Sequence, residues 1–334
     1  MQRVTALRAV LAEPAGPSPA PLPREPQAFH ARLPGYGLTR MVDCPAGAEA
    51  AAIARLVVKD ESRRFGLPAF KYLGASWALA RLLGATAGGR DELAAAARTQ
   101  GLERLAAATD GNHGRAVARL AAQLGIRATI YVPEHMIEAR RAAIVGEGAD
   151  VVVVQGGYDV AVRVAAADGA DPACRVLADA DHDGSSPVPG WVIEGYSTLF
   201  AEARQKLLAR RVQVDLVVLQ TGVGALAAAG VRWAAAIGAA AVAVDPAGAA
   251  CIAASLAAGQ PIEIATSHTT MAGLDAAQRL LATCGLDIGE SGAAGVAGLV
   301  ALGRDPAARA LRERVGLGPG TVALAIATEG PTAR

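Results

Sequence analysis

From about Ala46 onward, short apolar runs alternate with longer amphipathic stretches rich in Ala, Leu and Arg. Runs of four to eight apolar residues bounded by turn formers read as buried strands. Apolar positions recurring every three to four residues read as helices. The pattern predicts strands at 105–108, 128–132, 150–154, 176–178, 215–219, 241–244 and 322–327. It predicts helices at 75–83, 114–124, 137–145, 158–167, 191–209, 224–237, 247–257 and 292–302. Strands alternating with helices imply βαβ units and parallel sheets. There are too many strands for one sheet at this length, so an α/β chain with two sheets in two lobes is expected. Residues 1 to about 35, Pro-rich between Pro14 and Pro26, carry little pattern and read as an arm packed on the body or on a neighbouring subunit. The Gly/Pro-rich, charged run 179–190 reads as a junction between lobes.

Composition narrows this picture. The 334 residues suffice for one large or two moderate domains. Apolar residues reach 52 %, much of it alanine, and aromatics only 4 %, so small side chains must bring helices close to the sheets. A net charge of +1 gives no electrostatic case for nucleic acid or an anionic membrane. No run of 18 apolar residues is free of Gly or charge, so no membrane span is expected. Nor does a signal-type apolar stretch precede the Pro-rich segment. Cys44, Cys174, Cys251 and Cys284 are scattered without a CxxC pair, which argues against a structural metal site or a disulfide framework. A reduced, cytoplasmic enzyme is the expected setting.

Candidate chemistry begins at Phe65-Gly66-Leu67-Pro68-Ala69-Phe70-Lys71-Tyr72-Leu73-Gly74-Ala75-Ser76. Lys71 lies among apolar residues near the start of an Ala/Leu-rich helix, where burial and the positive helix end both disfavour an ammonium. An amine of lowered pKa is what Schiff-base chemistry needs. The chain has only two other lysines. Lys59 is in the charged run Lys59-Asp60-Glu61-Ser62-Arg63-Arg64 and Lys206 lies near Arg204 and Arg210, so both read as solvated. A lysine that merely snorkels to solvent from an apolar helix fits the same pattern.

Ala107-Ala108-Thr109-Asp110-Gly111-Asn112-His113-Gly114-Arg115 ends an apolar run and opens a helix. Gly111 would let a flat ligand approach the backbone. Asn112 offers a donor and an acceptor for a ring oxygen. Asp110 is a candidate acid/base group, and an ordinary Asp/Asn helix cap reads the same way. Leu216 to Leu226 runs from a strand through Thr221-Gly222-Val223-Gly224 into a helix, the arrangement that cradles a phosphate with backbone amides. It lacks both the dinucleotide and the P-loop patterns, and a tight strand-to-helix turn needs glycine in any case. Strand 322–327 ends in Thr328-Glu329-Gly330, placing a hydroxyl where α/β proteins bind ligands, or simply a polar strand end. A further Gly-rich helix entry follows Ile288, at Gly289-Glu290-Ser291-Gly292-Ala293-Ala294-Gly295, and close helix–sheet packing explains it equally.

In this order, the lysine helix, the Asp-Gly-Asn-His-Gly loop, the Gly-Val-Gly turn, the Glu-Ser-Gly-Ala run and the late hydroxyl resemble the fold-type II pyridoxal-phosphate enzymes, the tryptophan-synthase-β-like group. Arg64-Phe65-Gly66-Leu67, Thr109-Asp110-Gly111-Asn112-His113-Gly114, Trp191 with Gly195-Tyr196, Gln220 to Ala225, Met271-Ala272-Gly273-Leu274 and Thr328-Glu329-Gly330 resemble, within that group, the diaminopropionate ammonia-lyases. The related serine and threonine dehydratases typically carry Ser in place of Asp110. After Leu274 the chain departs from the lyases, with Asp275-Ala276-Ala277 where they have small residues and Cys-Gly.

The resemblance implies roles. Lys71 would carry the pyridoxal 5′-phosphate covalently, with Phe70 beside it. Asn112 would meet the ring 3′ oxygen. Gly222, Val223, Gly224, Ala225 and Leu226 would bind the phosphate, and Thr328 would face the pyridine nitrogen. Asp110 would act near the substrate Cα. Asp179 matches a second family carboxylate on the substrate's amino side, although a turn residue in an acid-rich loop with Asp181 and Asp183 reads the same. His113 is expected to be a structural hydrogen-bonder. The expected domains are 1–71 plus 184–334, binding the cofactor, and a small mobile domain at 72–183. The expected activity is elimination of ammonia from 2,3-diaminopropionate, by a homodimer whose partner is a small amino acid. Another amino-acid β-eliminase, a serine or threonine dehydratase, and a PLP-binding protein without turnover are the alternatives.

Overall fold

The computed structural model describes residues 7–11, 22–180, 185–260, 262, 264 and 274–331. Met271, Ala272 and Gly273 of the resemblance, Asp181, Asp183 and much of the Pro-rich segment lie outside the described residues. The chain forms two compact units. One comprises Leu38–Arg63, Leu199–Pro331 and the first strand. The other comprises Pro23–Gly37 and Arg64–Thr198. The chain passes from the second unit to the first after Thr198.

The first unit is built on a sheet of six strands: β1 (Leu7–Leu11), β2 (Met41–Asp43), β3 (Arg55–Asp60), β8 (Leu216–Gln220), β9 (Ala240–Pro246) and β10 (Val322–Ala327). Their order across the sheet is β1-β9-β8-β10-β3-β2. The central pairs are parallel, and β1 and β2 close the two edges antiparallel. The arm therefore contributes an edge strand, Leu7 opposite Pro246 and Leu11 opposite Val242. The second unit holds an all-parallel sheet of four strands: β4 (Arg104–Ala108), β5 (Arg127–Pro133), β6 (Asp150–Val154) and β7 (Cys174–Val176), ordered β6-β5-β4-β7. Six of the seven expected strands lie where they were expected, the seventh, expected at 176–178, is Cys174–Val176, and the α/β architecture with two helix-flanked parallel sheets follows.

The core of the first unit sets Leu56, Val58, Val218 and Val244 of the strands against Leu281, Val296 and Leu299 of the helices. Alanine and glycine keep the layers close: a Cβ at Gly298 would lie 2.5 Å from the Val244 side chain. The expected helix over 191–209 is two helices, Val188–Gly195 and Ser197–Ala209. The first of the two packs tightly on helix Tyr72–Leu83. A Cβ at Gly195 would fall 2.5 Å from the Leu73 carbonyl oxygen, and one at Gly74 would fall 2.7 Å from Tyr196 and from Val192. Only glycines allow helices Tyr72–Leu83 and Val188–Gly195 to approach this closely.

Strand β3 was not legible, because its end is charged. Lys59 is not solvated: it is fully buried, its Nζ 2.8 Å from Glu61 and 2.9 Å from Glu202, which are also fully buried. Lys206 is half-buried and donates to the Thr39 carbonyl at 2.7 Å. Replacing Lys59 with Met leaves two carboxylates together in the interior, so the variant is expected to lose about 3–5 kcal/mol of stability. Denaturant unfolding measures this, and a loss below about 1 kcal/mol, the level of an exposed ion pair, would contradict it.

In the second unit His30 is fully buried. Its Nε2 donates to the Leu73 carbonyl at 3.0 Å, so Nδ1 accepts from the Thr198 hydroxyl at 2.7 Å. Burial lowers its pKa to about 3, against the Leu73 carbonyl and with help from Arg64. The depressed value means that the unfolded chain takes up a proton first on acidification. His30 therefore withdraws stability as pH falls from about 6.5 toward about 3, at up to about 1.4 kcal/mol per pH unit. Gln can make both hydrogen bonds without titrating, so His30→Gln is expected to flatten the acid slope of unfolding free energy between pH 7 and 4. An unchanged slope would show that His30 is not its source.

Candidate active site

Lys71 is the N-cap residue of helix Tyr72–Leu83, ten of whose twelve residues are buried. Its Nζ lies 2.9 Å from Asp179 Oδ2 and 5.7 and 5.9 Å from the ring centroids of Phe70 and Tyr196. This corrects the expectation of a lowered amine pKa. Burial does penalise the ammonium and is the largest single effect, but the Asp179 charge, Tyr196 and the hydrogen bond to Asp179 together outweigh it and raise the pKa. The amine is held as an ammonium until Asp179 is given another cation or the proton is passed on.

Asp179 is buried and is no solvent-facing turn residue. Its second oxygen accepts from the Tyr158 hydroxyl at 2.9 Å, and its Oδ2 lies 3.9 Å from His113 Nδ1. Burial works against its charge, yet the Lys71 ammonium and the hydrogen bonds from Lys71 and Tyr158 hold the carboxyl well below the usual carboxylate range. His113 Nε2 lies 2.7 Å from the Leu177 carbonyl, which can only accept, so the proton is on Nε2 and Nδ1 carries a lone pair. Burial, with Lys71, lowers the His113 pKa despite Asp179 and keeps the ring neutral. Among the described residues His113 Nδ1 has no hydrogen-bond partner. A cavity of about 480 Å³ in this unit is lined in part by Tyr158, Arg163, Val176 and Asp179.

The Asp110 loop is organised by Thr109, which sequence reasoning passed over. Its hydroxyl oxygen accepts from the amides of Gly111 at 2.9 Å and Gly114 at 3.0 Å. Helix Asn112–Leu124 thus begins without a side-chain bond at its Gly111 cap, and Asp110 is not its cap. Asp110 is at the exposed rim of the loop with enough protein around it that desolvation raises its pKa; Asp179 and Asp159 push the same way, against His135 and Arg140. Lys71, Phe70, Asp110, Asn112 and Asp179 thus share one unit, along with Tyr158 and Tyr196, whose roles only tertiary contacts reveal.

The other predicted residues belong to the first unit. The turn after β8 runs Thr221-Gly222-Val223-Gly224 into helix Ala225–Ile237. Gly224 has φ +91°, and nothing lies within 4 Å of a Cβ built at exposed Gly222. The free amides of the first helical turn, with their positive dipole end, therefore face an open approach. Ala225 and Leu226 turn their side chains into the core. Thr328 is buried, and its oxygen accepts from Gln220 Nε2 at 2.9 Å. Each unit taken by itself, the open turn amides and the buried Thr328 hydroxyl of the first suit a phosphate and a ring nitrogen, and the Lys71 amine of the second suits an aldehyde, the groups that pyridoxal 5′-phosphate carries. Gly224→Val forces a branched side chain into positive φ with Ile252 Cδ1 3.0 Å from its Cβ. It is expected to weaken cofactor retention at least tenfold with little change in helix content, read by equilibrium dialysis and circular dichroism. Unchanged affinity would place the phosphate elsewhere.

Residues 32–277 match the pyridoxal-phosphate dependent enzyme family. Fold and site together define a PLP enzyme of fold type II. The diaminopropionate ammonia-lyase of Escherichia coli K12 is 31 % identical, over 91 % of this chain and 87 % of that protein. The crystal structure of the Escherichia coli diaminopropionate ammonia lyase in complex with D-serine superposes with a TM-score of 0.83 at 29 % identity, covering 99 % of this chain and 96 % of that one. The same enzyme in complex with an aminoacrylate-PLP azomethine reaction intermediate superposes at 0.81 and 28 % identity, with the same coverage. The chain belongs to the diaminopropionate ammonia-lyase family.

Proposed function

We propose that this protein is a PLP-dependent lyase that removes ammonia from 2,3-diaminopropionate by α,β-elimination, the remainder taking up water to give pyruvate and a second ammonia. The observation that carries the reading is the pair of carboxylates, Asp110 and Asp179, in the unit that holds Lys71. A diamino acid brings one more ammonium than serine does, and a buried cation is tolerated only beside an opposite charge.

When bound, the cofactor supplies an aldehyde that bonds to an amine and an electron-poor ring that accepts the electron pair left at Cα. Lys71 Nζ is the attachment point, with Phe70 beside it. Asn112 would hydrogen-bond the ring oxygen. The amides of Gly222, Val223, Gly224, Ala225 and Leu226 would hold the phosphate, and the Thr328 hydroxyl the ring nitrogen. Asp110 would take the proton from Cα; its raised pKa makes it a better base than an ordinary carboxylate. Bonding to the cofactor would take the free Lys71 ammonium away from Asp179, which, fixed by Tyr158, would then pair with an ammonium of the substrate.

In this reading residues 72–183 form the small mobile domain and 1–71 with 184–334 the cofactor-binding domain. The four-stranded sheet, wholly inside 72–183, supports a division around it, although the compact unit built on that sheet also takes in Pro23–Gly37, Arg64–Lys71 and Ser185–Thr198. The setting is a cytoplasmic homodimer. Four free cysteines suit a reducing compartment, and among the described residues no helix is long and apolar enough to cross a membrane. Pyruvate release by the holoenzyme from diaminopropionate, serine and threonine tests the substrate. Diaminopropionate is expected to give the highest kcat/KM. Preference for serine or threonine would make the protein a dehydratase, and a bound cofactor with no pyruvate from any of them would make it a binder.

A further inference from the structure

Gln220 ends β8 and is buried. Its Nε2 faces the carbonyl oxygens of Ile326 at 2.8 Å, Ser291 at 3.2 Å and Gly292 at 3.3 Å, and the Thr328 hydroxyl oxygen at 2.9 Å. Three carbonyls can only accept, so the amide end turned toward them must be the NH2 and its orientation has no alternative. Two N–H groups serve four acceptors, and the two nearest are Ile326 O and Thr328 Oγ1. Thr328 consequently receives a hydrogen bond from Gln220 and cannot give one back. No described residue accepts the Thr328 hydroxyl proton. The Gln220 oxygen, too, is buried without a partner among the described residues, and a Cβ at Gly295 would lie 2.9 Å from it. An amide that leaves its own acceptor unsatisfied to aim its donors is held for those donors, because a buried unpaired oxygen costs free energy.

We propose that Gln220 is a positioning residue that fixes the direction of the Thr328 hydrogen bond, so that Thr328 can only donate toward the bound cofactor's ring nitrogen and keeps that nitrogen unprotonated. This rests on the PLP reading above. The nitrogen accepts a proton-bearing hydroxyl and so has its lone pair engaged; an extra proton on it would face the Thr328 hydrogen. Gln220 does not touch the reacting atoms and acts through Thr328 alone.

The experiment uses holoenzyme loaded with pyridoxal 5′-phosphate labelled with ¹⁵N in the ring, read by nitrogen NMR, together with the cofactor dissociation constant. Gln220→Met removes the donor while filling the same volume. It frees the Thr328 hydroxyl to turn toward a backbone carbonyl, so the nitrogen resonance is expected to move from its wild-type position to that of Thr328→Val. Cofactor affinity is expected to fall about three- to tenfold, the worth of one neutral hydrogen bond. Because Gln220 works through Thr328, adding Gln220→Met to Thr328→Val is expected to change neither reading further. If Gln220→Met does not fold, Gln220→Asn withdraws the amide by one methylene and is expected to shift the resonance in the same direction. A bound cofactor whose resonance stays at the wild-type position in the Gln220 variants overturns the inference while leaving the PLP reading intact. So does an equal affinity loss with and without Thr328. A wild-type protein that takes up no labelled cofactor refutes the PLP reading itself, and this inference with it.

Discussion

Replacing Lys71 with alanine is expected to abolish both covalent cofactor attachment and turnover while leaving the fold in place. No substitute amine is available. Lys59 Nζ is locked between Glu61 and Glu202 in the interior of the other unit, and Lys206 is bonded to the Thr39 carbonyl. The side chain removed is not part of a tight core, since 22 % of it is exposed. Its loss does strip Asp179 of the cation that stabilises its charge. The Asp179 pKa should then rise, and the Tyr158 hydrogen bond remains to hold the carboxyl in place. Borohydride reduction of the wild-type holoenzyme followed by peptide mass spectrometry should find the cofactor on the peptide containing Lys71. The label on Lys59 or Lys206 would overturn the site assignment as a whole, and visible absorbance retained by Lys71→Ala after dialysis would show that attachment does not depend on this amine.

Asp110→Asn is expected to lower kcat/KM for diaminopropionate by about 10²–10⁴-fold, the usual worth of a positioned acid/base group, with the cofactor still bound. The amide keeps the size and the loop geometry, because the loop is tied by the Thr109 hydroxyl and not by the Asp110 side chain. What it loses is the charge. As a base, Asp110 works only when deprotonated, and desolvation with the charges of Asp179 and Asp159 raises its pKa. Wild-type kcat/KM should therefore fall on the acid side at a higher pH than an ordinary carboxylate would give. That limb should vanish from the residual activity of Asp110→Asn. The variant should also lose its preference for diaminopropionate over serine, since one of the two carboxylates proposed to balance the extra ammonium is gone. Turnover of diaminopropionate within about threefold of wild type, far short of the loss a general base entails, would remove Asp110 from the chemistry.

These two residues also show how far the chain could be read without its fold. The alternation of apolar runs with amphipathic segments was enough for two parallel sheets, because strands buried on both faces must be apolar throughout and their connecting helices must be amphipathic. Lys71 stood out because lysines are so few and its neighbours so apolar. The glycines at 222 and 224 marked a backbone turn whatever packed around it. Such features depend on residues close in sequence, and local patterns report them.

The failures share a cause of the opposite kind. Lys59 read as solvated because its buried partner Glu202 is 143 residues away, and with it the strand β3 went unseen. The Lys71 pKa was expected to fall because only its own helix and burial were visible; Asp179, 108 residues on, reverses the sign. The helix over 191–209 is interrupted at Tyr196, and the glycine before it is required by the Leu73 backbone, which no periodicity in that segment records. Gln220 read only as part of the glycine turn after a strand expected at 215–219, and the contacts of its amide with Ser291, Gly292, Ile326 and Thr328 come from residues 71 to 108 positions away. The sequence by itself determined most of the elements, the candidate lysine and the glycine turns, through hydrophobic period and backbone sterics. The tertiary structure alone decided which charges are buried, which protons are held and where each donor points, because Coulomb and hydrogen-bond energies in a low-dielectric interior depend on distances of a few ångströms between residues that lie far apart along the chain.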